Sequence, residues 1–380
     1  MISIVFKRPF IVIVLVFIIS RLVNFSLFFA FDEINGIEYE CLSERVISYS
    51  SKIDSKYYIQ LANSGYSPSQ ADMEKGATVY AFYPAYPALM RIVSQIFGIQ
   101  EDLSGIFLSN TFLLLSLFLL RKYCENRGLS KNAVFMAVTL LAFCPENFIF
   151  SAIYTESMFL MLSLLALVSF ETKRYWLSCF FVGFLSAVRT NGVFIAIFFV
   201  FEMLGGVVDV YRRNESVKKY LMDNSSKLLP IVFAPLGIFI FWWICFINVG
   251  DAFAQSSTVF AGWDRRLVPP FSSLLDYFQG GFHRKFWTLG SLFYFCVSFL
   301  LIRHKWYKDF AYCFANFLLF YSANIPDSLL RYCLVLFPVY AILAALGDKK
   351  SIFFILVLGA FLVINAIICI GWLSEHPIAA

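Results

Sequence analysis

The chain has 380 residues, of which 60% are hydrophobic and only 14% charged, with a mean hydropathy of +0.75. So little charge cannot cover the surface of a soluble domain of this size, so the composition excludes one and leaves a polytopic membrane protein. The net charge of +5 is no sign of nucleic acid as a partner, because no basic stretch is interleaved with aromatics on a polar face.

Apolar runs recur near 10–31, 103–120, 133–151, 155–170, 175–189, 192–208, 228–248, 287–302, 309–323, 329–346 and 351–373. At roughly 17–25 residues per span, with some short ones, they predict about eleven transmembrane helices. The first run is too long for a signal peptide and lacks a small-residue cleavage site, so it reads as a retained anchor. With the N-terminus inside, eighteen of the thirty Lys and Arg fall in six short loops, while eleven are spread over much longer loops on the other side and Arg21 lies within the first run. The positive-inside rule then sets the chain N-in and C-out. The predicted fold is an all-α polytopic bundle, one domain over residues 1–380, with extracytoplasmic loops at 32–102 and 249–286. Its place is the plasma membrane in a prokaryote or the endoplasmic reticulum in a eukaryote. The nine cysteines are scattered, mostly within spans, with Cys41 alone in the large outer loop. They form neither a disulfide framework nor a CxxC metal site.

In the first outer loop Asp54, Tyr58, Leu61 and Gly65 recur at i, i+4, i+7 and i+11. That spacing predicts a short amphipathic helix closed by a glycine, with Asp54 and Tyr58 on one face. A loop aspartate is usually only a solvated charge, but one held on an ordered segment above the membrane can be tuned by desolvation toward proton acceptance. The stretch Phe82-Tyr83-Pro84-Ala85-Tyr86-Pro87, ending at Arg91, is too broken to span. It reads either as an interfacial aromatic belt or as a lipid-substrate groove.

Three further polar clusters fall at span ends on the same predicted face: Glu146 with Glu156, then Arg189 and Asn191, then Asp327 and Arg331. Charges at membrane depth are costly and are usually paired or functional. Glu156 and Arg189 suit either a packing ion pair or part of a cationic pocket for a phosphate, where the arginine fork binds bidentately.

Taken together, Asp54, Tyr58 and Gly65-Tyr66, then Phe82 to Pro87 with Arg91, Ser109-Asn110, Tyr154 to Ser157, Arg189 to Gly192, Gly250-Asp251 with Gln255 and Trp263, and Arg331-Tyr332 with Pro338 form seven motifs in order. They resemble the PIG-V-type mannosyltransferases, the GPI mannosyltransferase 2 family and its prokaryotic relatives, over residues 50 to 345. The family belongs to the GT-C glycosyltransferases, polytopic enzymes that take sugar from a polyprenyl-phosphate carrier on the extracytoplasmic or lumenal side. The resemblance implies an inverting transfer of a sugar, mannose first, to a glycolipid or glycan acceptor. Asp54 falls where the family places its general base. Tyr58, Tyr86, Glu156, Arg189, Asn191, Asp251, Gln255, Trp263, Arg265 and Arg331 are the candidate substrate-binding residues. Among them Arg189 and Arg331 come first for the donor phosphate and Arg265 behind them. The family usually has Trp before its aspartate and often His two residues after; this chain has Ile53 and Lys56.

No cofactor and no divalent metal is expected, since the outer loops hold no paired DxD. The expected partners are the lipid-linked donor, the acceptor and the bilayer, with a small partner subunit left open. Two other readings stand beside this one: a lipid or glycolipid transporter without chemistry, and a GT-C enzyme with another sugar or a protein acceptor. Against the transporter stands the crowding of charge at one face and the absence of repeat halves.

Overall fold

The structure is a computed structural model that describes residues 9–68 and 78–379. Lys7 and Arg8, which enter the charge asymmetry, and the 69–77 part of the first outer loop lie outside the described residues. Among the described residues six helices are long and apolar enough to cross a bilayer: Pro9–Asn35, Glu101–Asn126, Thr190–Arg212, Ser225–Val249, Phe282–Arg303 and Ser351–Leu373. The other five expected spans are shorter helices, Lys131–Ala142, Glu156–Glu171, Tyr175–Ser186, Tyr307–Phe320 and Phe337–Lys349. Among the described residues the one β feature is an isolated bridge between Leu267 and Ala323.

The short helices have a common geometry. With 12 to 16 residues at about 1.5 Å of rise each they fall well below the ~30 Å apolar thickness. The missing turns are replaced by irregular backbone at 143–155, 187–189 and 321–336. Unpaired peptide groups at membrane depth are tolerated only inside protein. These loops accordingly expose none of their residues and bury most of them, including Glu146, Asn147, Thr155 and Arg331.

At the opposite end the bundle is stapled by charge. Arg127 reaches Glu171 and Asp309, each at 3.0 Å, Tyr123 donates to the buried Asp309, and Ser130 donates to Asp348 at 2.7 Å. Arg21, inside the first span, meets no carboxylate among the described residues. It donates to the Asn147 carbonyl and Ser151 Oγ at 2.9 Å and to the Ala142 carbonyl at 3.2 Å. A cation there satisfies the carbonyls left open where the Lys131–Ala142 helix stops.

The first outer loop carries the expected helix, Ser55–Ser64, preceded by Asp54 and closed by Gly65 at φ 68. It also carries more order than its prolines suggest. A single turn at Val79–Ala81 precedes the aromatic stretch, most of which lies in the Ala85–Phe97 helix. Pro84 and Pro87 stand at the start of that helix, where no intrahelical acceptor awaits their missing N–H. Its Ile92, Ile96 and Phe97 are exposed while Tyr86 and Met90 are buried, the division of a helix lying along an interface.

Candidate functional site

Asp54 is held by backbone before its side chain does anything. Ile53 adopts φ 56, a left-handed conformation costly for a β-branched residue. The Asp54 N–H donates to the Tyr154 hydroxyl at 3.1 Å, and Ile153 N–H donates to the Ser50 carbonyl at 3.0 Å. The aspartate is therefore tied to the buried 143–155 loop although about a hundred residues separate them in sequence. Three other left-handed non-glycine residues adjoin the site: Glu146, Asp264 before Arg265, and Ser328 before the Leu329–Cys333 helix that carries Arg331. Strain gathered around one place is a mark of a site whose geometry is over-determined.

The charged side chains form a relay. Arg331 Nη1 and Nη2 each lie 3.4 Å from Asp54 Oδ2, and its Nε lies 3.5 Å from Glu156 Oε1. That same Glu156 oxygen accepts from Arg189 Nη1 at 3.0 Å. Glu156 is 1% exposed, Arg331 10%, and Asp54 17%. The aspartate is thus the carboxylate of the relay that a second substrate reaches most easily.

Tyr332 stands at the centre of the cations. The guanidinium groups of Arg189, Arg265 and Arg331 lie 5.1, 5.3 and 5.6 Å from its ring, and Arg331 also covers Tyr154 at 5.0 Å. Arg265 donates to the Tyr332 hydroxyl and to the Asp327 carbonyl, both at 2.7 Å. Burial opposes its charge, but Tyr332 and then Asp327 outweigh that and leave its pKa raised. The Leu267 bridge and the hydrogen bond from Val268 N–H to Ser322 O at 2.8 Å hold the Arg265 loop against the 321–336 loop.

Aromatic packing forms the floor and one wall. Tyr58 is buried among Phe82, Tyr86 and Tyr154 at 5.0, 5.6 and 6.2 Å between ring centroids. Burial first, and then the charge of Glu156, push its phenol well above the ordinary range. Tyr86 is fixed from below by Gly105 O and Ser109 at 3.0 and 2.7 Å. Trp263 meets Tyr57 and Phe82 at 6.1 and 6.0 Å. Gln255 accepts from Tyr83 at 3.3 Å, and Tyr83 also bonds Thr190 beside Arg189 at 2.9 Å.

The candidate residues therefore divide. Asp54, Glu156, Arg189 and Arg331 come together as one relay, which Arg265 joins through Tyr332, with Tyr58, Tyr86, Gln255 and Trp263 in the aromatic shell. Asn191 turns away and donates to Asn316 at 2.8 Å, both buried. Asp251 is exposed and accepts from its own Phe253 N–H at 2.8 Å, a local turn bond. Among the arginines, Arg189 and Arg331 are engaged by carboxylates and Arg265 is not, among the described residues. Sequence reasoning gives no role to Tyr154 and Tyr332, although both stand in the seven motifs; the adjacency Arg331-Tyr332 is the signal that could have found one of them. Among the described residues no three His, Cys, Asp or Glu side chains gather as a metal-binding group.

Comparison with known proteins agrees with this architecture. The profile of the family Mannosyltransferase (PIG-V) matches residues 3–361. Over 85 residues the chain is 31% identical to GPI mannosyltransferase 2 of Schizosaccharomyces pombe, a stretch covering 22% of this chain and 18% of that protein. The fold is similar to that of the Archaeoglobus fulgidus oligosaccharyltransferase in its apo form, at TM-score 0.50 and 12% identity over 97% of this chain and 55% of that one. The same enzyme tethered to an acceptor peptide gives TM-score 0.50 and 13% identity over 99% of this chain and 56% of that one. The chain thus spans about half the length of those structures. With its profile match over nearly the whole length and its multi-pass helical bundle, the chain belongs to the PIG-V mannosyltransferase family.

Proposed function

We propose that the protein moves a mannosyl residue from a polyprenyl-phosphate carrier to a hydroxyl of a glycolipid or glycan, with inversion, on the extracytoplasmic face. The observation that carries this is the relay Asp54, Arg331, Glu156, Arg189, built where the short helices leave the bilayer unfilled.

The acceptor hydroxyl attacks the anomeric carbon as the bond from that carbon to the phosphate oxygen breaks. The hydroxyl proton passes to Asp54, and the leaving group departs as polyprenyl phosphate. Arg331, spread between two carboxylates at 3.4 and 3.5 Å, holds Asp54 in place until the acceptor enters. Positive charge fixed in a poorly hydrated site stabilises the departing phosphate far more than the same charge would in water. The apolar faces of the Ala85–Phe97 helix suit the prenyl chain and keep it beside the site.

Purified protein supplied with polyprenyl-phosphate mannose and a short glycan or glycolipid acceptor should form product and release polyprenyl phosphate. Transfer from a nucleotide sugar in the absence of any lipid carrier would overturn the proposal.

A further inference from the structure

Of the three arginines around Tyr332, Arg265 alone has no carboxylate of the described residues within ion-pairing distance. Arg189 is held by Glu156, and Arg331 by Asp54 and Glu156. Arg265 spends its Nη1 and Nη2 donors on the neutral Tyr332 hydroxyl and Asp327 carbonyl. Its Nε–H is buried and, among the described residues, makes no hydrogen bond. Leaving a buried charged donor unsatisfied is expensive, so such a group is commonly completed by a ligand. Tyr332 adds a second donor. Its oxygen accepts from Arg265, and none of the described residues takes its own hydrogen.

We infer that Arg265 and Tyr332 form the seat of the carrier's phosphate, a diester while the sugar is attached and a monoester once it has left, with the Arg265 Nε–H and the Tyr332 O–H donating to its oxygens. Arg189 and Arg331, each already paired with a carboxylate, stand around the same ring at 5.1 and 5.6 Å and add their field to the seat. Asp54 pairs with Arg331, whereas Arg265 is bound to Tyr332 and Asp327, so a phosphate at Arg265 does not take the cation that orients the base. This rests on the lipid-phosphate donor proposed above and names the residues that hold it.

The test uses undecaprenyl phosphate without a sugar, added to the full-length protein in detergent and followed by native mass spectrometry. Phosphatidic acid serves as a second phosphomonoester lipid, and inorganic phosphate as a competitor. Tyr332→Phe keeps the ring beneath the guanidinium groups and removes one donor. Arg265→Lys keeps the charge and removes the fork. Wild-type protein should bind undecaprenyl phosphate, inorganic phosphate should displace it, and each variant should bind roughly tenfold weaker or worse, with unchanged melting temperature and unchanged KM for the acceptor. Should one variant fold poorly, the other still decides between the outcomes. Equal binding by wild type and a folded variant overturns this assignment and leaves the lipid-donor proposal standing. No binding by the wild type removes both. Phosphatidic acid bound as tightly, and lost in the same variants, would show a general anionic-lipid site and overturn the assignment to the carrier.

Discussion

Asp54 is shielded but reachable, at 17% exposed, and its nearest cation is Arg331 at 3.4 Å. General-base assistance is worth about 10²–10⁴ in rate. Asp54→Asn keeps shape and hydrogen-bonding reach but takes no proton, so kcat should fall by that order while donor binding and melting temperature stay near wild type; near-full turnover would remove Asp54 from the mechanism. Glu156→Gln acts differently, because one buried oxygen serves both Arg189 and Arg331. Uncompensated buried charge costs about 3–5 kcal/mol, so this variant should show a clear loss in thermal melting as well as in activity. A fully active, equally stable Glu156→Gln would mean that the two cations are solvated. Glu156, Arg189 and Arg331 were legible in the sequence because a charge at membrane depth demands an explanation, and Asp54 because it opens an amphipathic segment above the membrane. Tyr332 was not, since an aromatic next to a span end reads as packing. Asn191 and Asp251 stand outside the relay for a reason the sequence does not show: one side chain bonds Asn316 and the other its own backbone.

At the scale of elements, the hydropathy runs located the helices but not where they stop. Nothing in an apolar run at 133–151 says that the Lys131–Ala142 helix ends early and that Glu146 takes φ 57; the break depends on Arg21, Asn24 and Asn365 converging from other helices. The Arg189 loop shows the same dependence on a neighbour. A Cβ on Gly237 would meet Ala187 N at 2.1 Å and Gly183 O at 2.5 Å, and the Gly237 N–H donates to Ser186 Oγ at 2.9 Å. The Leu236–Val249 helix therefore presses directly on the backbone that leads to Arg189. Gly237→Ala forces that backbone apart, with overpacking worth about 1–3 kcal/mol or more. Its expected signature is a lower melting temperature together with reduced activity through displaced Arg189. Gly205, where an added Cβ would meet nothing within 4 Å beyond its own helix backbone, provides the control, and an equal effect of Gly205→Ala would show that the loss is not a matter of close approach.

For the whole molecule the open quantity is orientation, which charge asymmetry predicts and which decides whether the site faces lipid-linked or nucleotide sugars. Cys41 reads it without an introduced label. It is exposed, sits at the start of the Leu42–Ser50 helix in the first outer loop, and its thiol is held below the ordinary range first by Ser43 and then by the Glu44 backbone amide. A depressed thiol pKa means thiolate persists to lower pH, so maleimide modification should rise with pH through a midpoint below that of an ordinary cysteine. Ser43→Ala should move that midpoint up. In intact cells a membrane-impermeant maleimide should modify Cys41, and Cys41→Ser should abolish the signal. Asn224→Cys, built on that Cys41→Ser background, lies just after the basic Val217–Asp223 helix; the positive-inside rule keeps it unreactive until the membrane is permeabilised. The reverse pattern would turn the bundle over and place Asp54, Arg189, Arg265 and Arg331 toward the cytoplasm. A lipid-linked donor would then lose its main physical argument, because nucleotide sugars would have direct access to the site.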